Sequence, residues 1–145
     1  MATYYGSQYT DAYVSVPSVK IGPGEQSGEV KHAAFNITLA GAVTTSDIIK
    51  LAKLPKNSKL ILMRFVCADL GTTGTLNIGW AASADGVQSA SATGIASAVD
   101  VNTAAVATVY YPNQEFTGEV DIQIAPAANT TAGGAISGYL LYVTI

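Results

Sequence analysis

Two side chains here have the chemistry of a nucleophilic centre, and each is present once: His32 and Cys67. A Ser-His-Asp arrangement would have to use His32, but no Gly-x-Ser-x-Gly turn is present and the serines are scattered. His32 therefore reads as a half-exposed strand histidine. Cys67 ends the apolar run LILMRFVC, surroundings that raise a thiol pKa rather than activate it, so it reads as core. One His and one Cys do not make a zinc site, and there is no Asp-rich calcium loop. Gly22-Pro23-Gly24 with Gly28 has the wrong spacing for a dinucleotide loop and leads into a strand pattern. No Gly-Lys dipeptide exists, hence no phosphate-binding loop. Glu119 and Asp121 share one strand face, as a glycosidase pair would, but exposed polar alternation explains both. For Trp80, on an alternating strand, a core or sheet-face role outweighs sugar stacking. The sequence thus assigns no catalytic, cofactor-binding or metal-binding residue.

The remaining chemistry is that of contact. Tyr4, Tyr5 and Tyr9 lie in an arm over residues 1–11, and Tyr13 follows just beyond. Tyrosine offers a broad apolar face and a hydroxyl at little rotamer cost, which suits protein contacts. Lys50, Lys53, Lys56 and Lys59 recur every third residue around the Leu54-Pro55 corner. Three-residue spacing alternates faces along an extended chain. The break from Pro55 to Ser58 folds the segment back, so the four ammonium groups are expected to gather at one end of the domain. All seven basic residues precede Phe65, and the rest of the chain carries six acids and no base. The acidic half, with Asp69, Asp85, Asp100, Glu115, Glu119 and Asp121, is a match for the lysines, either within the chain or across a subunit contact.

Charged residues are 12% of the chain, against roughly 25% in ordinary soluble domains. So few charges leave a surface poorly defended against association, which suggests that much of it meets other protein. A net charge of −3 argues against a nucleic-acid binder. The opening MATYYGSQYTDAY has neither the basic start nor the apolar run of a signal peptide. No apolar run is long enough to span a membrane.

Residues 12–145 read as a single all-β domain following the arm. Tyr13 to Ile21 reads as an edge strand, since Pro17 cannot donate to a ladder. Glu29 to Ala40 alternates. Asp47 to Leu54 has both helical and strand spacing, and its neighbours favour a strand. Lys59 to Ala68 is apolar on both parities and is expected to be covered on both faces, so that Arg64 needs a partner or the domain edge. Thr75 to Ala81 and Glu119 to Ala125 alternate, the latter with Val120, Ile122 and Ile124 inward. Ala82 to Ala98, rich in Ala, Ser and Gly, reads as a long loop or weak helix, with a short strand over Val99 to Val101. Ala105 to Tyr111 is another strand, and Ala135 to Ile145 is a long apolar closing strand. About eight strands with mixed short and long connections predict an antiparallel β-sandwich of the Greek-key jelly-roll type.

Gly28-Glu29-Val30, the segment FNITLAGAVTTSDIIKLAKLPKNSKLILMRFVCADLGTTGTLNIGWAAS and the late GAISGYLLYVTI carry a resemblance. An apolar strand ends in Leu-Pro-Lys-x-Ser, a long strand follows, and a Gly/Thr turn precedes Thr-Leu-x-Ile-Gly. In these features the chain resembles the capsid decoration, or cement, proteins of tailed bacteriophages. The resemblance implies a jelly roll and homo-oligomers, commonly trimers, bound to the major capsid protein on the outside of the capsid. It also implies synthesis in the cytoplasm of a bacterial host, and no enzymatic activity. A minor head or tail component of the same fold, or a carbohydrate-binding jelly-roll adhesion module, is the alternative. The Tyr-rich arm is not part of the family pattern.

Overall fold

Ten β-strands and no helix make up the described part of the chain in the computed structural model, namely residues 2–5, 30–102 and 106–145. They are β1 (Thr3–Tyr5), β2 (Lys31–Leu39), β3 (Ile48–Leu54), β4 (Ser58–Cys67), β5 (Thr75–Trp80), β6 (Ser91–Asp100), β7 (Val106–Tyr110), β8 (Gln114–Phe116), β9 (Val120–Ala128) and β10 (Gly134–Thr144). The edge strand expected over Tyr13 to Ile21 lies outside the described residues. One sheet runs β1-β3-β9-β5-β6; the other runs β2-β10-β4-β7, with β8 also on β4. All pairings are antiparallel except β1 with β3.

Two observations reduce the ten strands to an eight-stranded sandwich, although not the same eight as expected, since β6 takes a place among them and Tyr13 to Ile21 is outside the described residues. First, β7 and β8 pair with successive parts of the same side of β4, at Met63–Cys67 and Ser58–Leu60. They are one strand interrupted at Pro112 and at Asn113, whose φ of 49° no strand accommodates. Second, β1 is an addition on the edge of β3. What remains is β3-β9-β5-β6 over β2-β10-β4-β7/β8, the strand order of a jelly roll.

Where the alternation is clean, burial follows it. Val120, Ile122 and Ile124 of β9 and Leu76, Ile78 and Trp80 of β5 are buried between the sheets, while Asp121, Gln123 and Asn77 point outward. The mixed spacing of β3 has a cause: its register on β9 slips between Lys50 and Ala52, so Leu51 and Ala52 are both buried and Leu54 stays inward. A similar irregularity corrects the expectation for β4. Its register on β10 jumps from Leu62 to Leu60, leaving Ile61 extra. Ser58 and Leu60 face the core before that point, and Met63, Phe65 and Cys67 after it. The double apolar parity thus arises in part because the inward parity changes along the strand. On the outward side Leu62, Arg64 and Val66 are half-buried rather than covered.

Residues 82–98 also differ from expectation, since Ser91–Asp100 forms the edge strand β6. It buries too little to show an apolar period: only Ile95, Ala96 and Val99 pack on the core. Its irregular pairing with β5 depends on Gly79, where a Cβ would lie 1.9 Å from the Ser91 carbonyl oxygen. Beside it Trp80 closes the end of the sandwich. The indole N–H donates to the Ser89 carbonyl at 3.0 Å, and the ring meets Phe116 of the other sheet edge-on at 5.0 Å.

Candidate functional site

The lysine corner is built by the pairing of β3 with β9. Lys53 lies directly across from Asp121, and Lys50 sits across from Gln123 on the same outward face. Lys50 Nζ is 2.6 Å from Asp121 Oδ2; Lys53 Nζ is 3.2 Å from Asp121 Oδ1 and 3.5 Å from Glu119 Oε1. Asp121 Oδ1 is buried and receives no well-aligned hydrogen bond, so the Lys53 ammonium compensates its charge without a directional N–H. Lys56 is exposed at the tip, where Asn57 takes a φ of 55° and Ser58 Oγ donates to the Pro55 carbonyl at 2.7 Å. Asp85 is held below the usual carboxylate range chiefly by the Ser83 hydroxyl and the Val87 N–H, with a smaller contribution from the charge of Lys56. Lys59 is across from Glu115 on β8. Each lysine therefore has an acid of the second half of its own chain nearby. Among the described residues, only Lys50 and Lys53 of the four form ion pairs, a ladder with Asp121 and Glu119 on the outward face of the β3-β9 pair. Lys59 points out from β4 in the other sheet, so the four ammonium groups expected to gather are divided between the two faces and the tip.

The Tyr-rich arm begins as β1. Thr3, Tyr4 and Tyr5 run parallel to Ile48, Ile49 and Lys50, and half-buried Tyr4 packs against the core. Asp47 anchors this strand: Oδ2 accepts the Thr44 N–H at 3.0 Å and Oδ1 accepts the Ala2 N–H at 3.1 Å. The Ile48 N–H donates to the Ala2 carbonyl at 3.0 Å. These bonds, that from Thr44 first and that from Ala2 second, depress the Asp47 pKa. Tyr9 and Tyr13 lie outside the described residues.

A third surface was missed in the sequence. Strand register sets Ala34, Tyr139, Arg64 and Val109 in one outward row of the β2-β10-β4-β7 sheet. Asn36, Ser137, Val66 and Ala107 form the next row, and His32, Leu141 and Leu62 the row on the other side. His32 lies against the ring of Tyr139, centroids 5.1 Å apart. Exposed Val109 stands on the outermost strand of this sheet, and Val30 and Tyr111 adjoin its two edge strands. The apolar outward residues of β4 and β10 were the available signal, but they read as a covered strand.

The residues with reactive chemistry are dispersed. Cys67 is buried, and that burial, helped by the charge of Asp69, pushes its thiol up to about 11. His32 points outward from the opposite face of the same sheet. Trp80 is buried, so its ring is not available for stacking on a sugar. Lys53, Ser83, Asp85, Glu119 and Asp121 line an open depression beside the lysine ladder. Among the described residues no group of His, Cys, Asp and Glu is placed to hold a metal ion.

No family model and no curated protein matches this sequence. Solved structures do match it. The fold is that of chains found in two phage capsids. A chain of the cyanophage Pam1 capsid asymmetric unit is 25% identical with a TM-score of 0.63, the match covering 90% of this chain and 96% of that one. A chain of the capsid of Ralstonia phage GP4 is 20% identical with a TM-score of 0.69, over 99% of this chain and 98% of that one. The second likeness speaks for the fold alone.

Proposed function

We propose that this chain is a structural protein of a tailed-phage virion, and within that class a decoration subunit. It binds the outside of the head, associates with itself and with the major capsid protein, and catalyses nothing. The observation that carries the reading is the near end-to-end likeness to the chain of the cyanophage Pam1 capsid asymmetric unit. The chemistry agrees with it. The side chains that a nucleophilic mechanism would need lie on opposite faces of one sheet. The single tryptophan that a sugar module would use is in the core. The sparse charge of the sequence suits a protein much of whose surface is in contact.

The test is quantitative mass spectrometry and image reconstruction of purified particles carrying this chain. A decoration subunit is present at a copy number set by the capsid lattice, and density for its sandwich stands on the shell exterior. Selective removal should leave closed heads that break at lower temperature. Absence from purified heads, or a copy number of only a few per particle, would overturn the decoration reading.

A further inference from the structure

The two outward faces of the sandwich differ in kind. On the β3-β9-β5 side they carry the lysine-carboxylate ladder, with Gln123 and Asn77. On the β2-β10-β4-β7 side the three central rows carry no carboxylate and one guanidinium, Arg64, half-buried among apolar neighbours. Among the described residues Arg64 has no acidic partner. A partly desolvated guanidinium is costly until a counter-charge reaches it, and its planar fork is suited to a carboxylate. Arginine and tyrosine set in an apolar surround also have the composition of contact hot spots.

We propose that this face, centred on Arg64, Tyr139 and Leu141, is the contact between copies of the chain, and that the neighbouring copy meets it with its Asp69 and Asp100 edge. This rests on the reading of the chain as a self-associating virion subunit. A two-fold contact centred on the face would set Arg64 against Arg64. The arrangement is therefore heterologous, the kind that closes into rings. The opposing surface then has to carry acid, and among the described residues Asp69 and Asp100 form an exposed acidic edge without an ion pair. Asp69 and Asp100 flank the 2.9 Å hydrogen bond from the Leu70 N–H to the Val101 carbonyl. Both are exposed, and each accepts a loop N–H, from Gly71 and Asn102 respectively. No cation among the described residues pairs with either.

Sedimentation velocity over a concentration series tests this on three purified full-length proteins: the parent, Arg64→Glu, and Arg64→Glu with Asp69→Lys and Asp100→Lys. Far-ultraviolet circular dichroism and Trp80 emission report the fold of each. The parent should self-associate, less so as salt screens the contact. Arg64→Glu should weaken association at least about tenfold, because it faces like charge with like, and the triple variant should recover most of the loss. If Arg64→Glu does not fold, Arg64→Gln removes the charge at similar size and should still weaken association. A monomeric parent would hand the face to the shell or to another part of the same chain and overturn the proposal. So would charge variants that associate like the parent, or a triple variant that recovers nothing. Failure of the virion reading shows instead as absence from purified particles, which these solution measurements do not touch.

Discussion

Replacing Asp121 with Asn asks whether the lysine ladder belongs to the fold or to docking. The carboxylate sits between two ammonium groups, at 2.6 and 3.2 Å, with its side chain 12% exposed and those of Lys50 and Lys53 22% and 19% exposed. At an effective dielectric of 20, one such pair has a gross attraction of about 4 kcal/mol at 4 Å. Desolvation and the ordering of two long side chains offset most of it. Fully exposed pairs retain about 0.2–1 kcal/mol, whereas breaking a fully buried pair costs about 3–5 kcal/mol. This network lies between the two, and Glu119 remains for Lys53, so a loss of about 1–2 kcal/mol is expected. For a chain of this size that lowers Tm by roughly 3–6 °C at fixed protein concentration. Lys56→Ala, at the exposed tip, should change stability by less than about 0.5 kcal/mol. Thermal and urea melts of Asp121→Asn, Lys53→Met and the double variant give the coupling directly. A coupling near zero, with Asp121→Asn melting like the parent, would refute the reasoning and return the lysines to an external partner.

Acid should release the arm. The Asp47 carboxylate is held below its usual value of 3.8, so its support is complete above that value and is lost as pH falls through the lowered one. Faster proteolysis within residues 1–5 at low pH, reproduced near neutrality by Asp47→Ala, is the expected signature. Gly138→Ala should cost at least about 1–3 kcal/mol, because φ is 150° there and a Cβ would lie 1.9 Å from the Arg64 carbonyl oxygen; an unchanged urea midpoint is the contrary result. Cys67, its thiol raised to about 11, should react slowly with a disulfide reagent at pH 8, since below that value the protonated form dominates. As pH rises from the ordinary thiol range toward 11 the folded state should lose stability, because the unfolded thiol ionises first. Trp80→Phe removes the donor to Ser89 and should lower the melting temperature, while parent emission should be blue-shifted and indifferent to added glycans.

The elements legible in the sequence were those whose period survives intact. β9 alternates without interruption, so Val120, Ile122 and Ile124 could be placed inward. β4 was legible as a strand but not in its facing, because the extra residue at Ile61 exchanges the two parities and no local residue type announces it. β6 was missed because an edge strand built of Ser, Ala, Thr and Gly buries little and carries no period. At the candidate surfaces the lysines were seen and the acids were seen, but not which lysine meets which acid. Lys50 and Asp121 are 71 residues apart, and only strand register joins them. The same holds for the Arg64 face, whose rows are assembled from four strands in an order that no local pattern encodes.

The strand order also sets when this protein can fold. The strands paired on both sides at the heart of each sheet, β9 between β3 and β5 and β10 between β2 and β4, are the last two in chain order. During synthesis β2 to β5 emerge before any of their long pairing partners exists, β3 having only the short β1 beside it; of the long strand pairs, only β5 with β6 joins neighbours along the chain. Folding therefore waits for β10, and then has to close large loops before any long pairing is gained, which places it among slow, high-contact-order topologies. The apolar strands stay exposed to one another across nascent copies during that interval. Yield from an expressing cell should accordingly rise at lower temperature and slower synthesis, and a chain cut short within β10 should be found in aggregates rather than as a partly folded monomer.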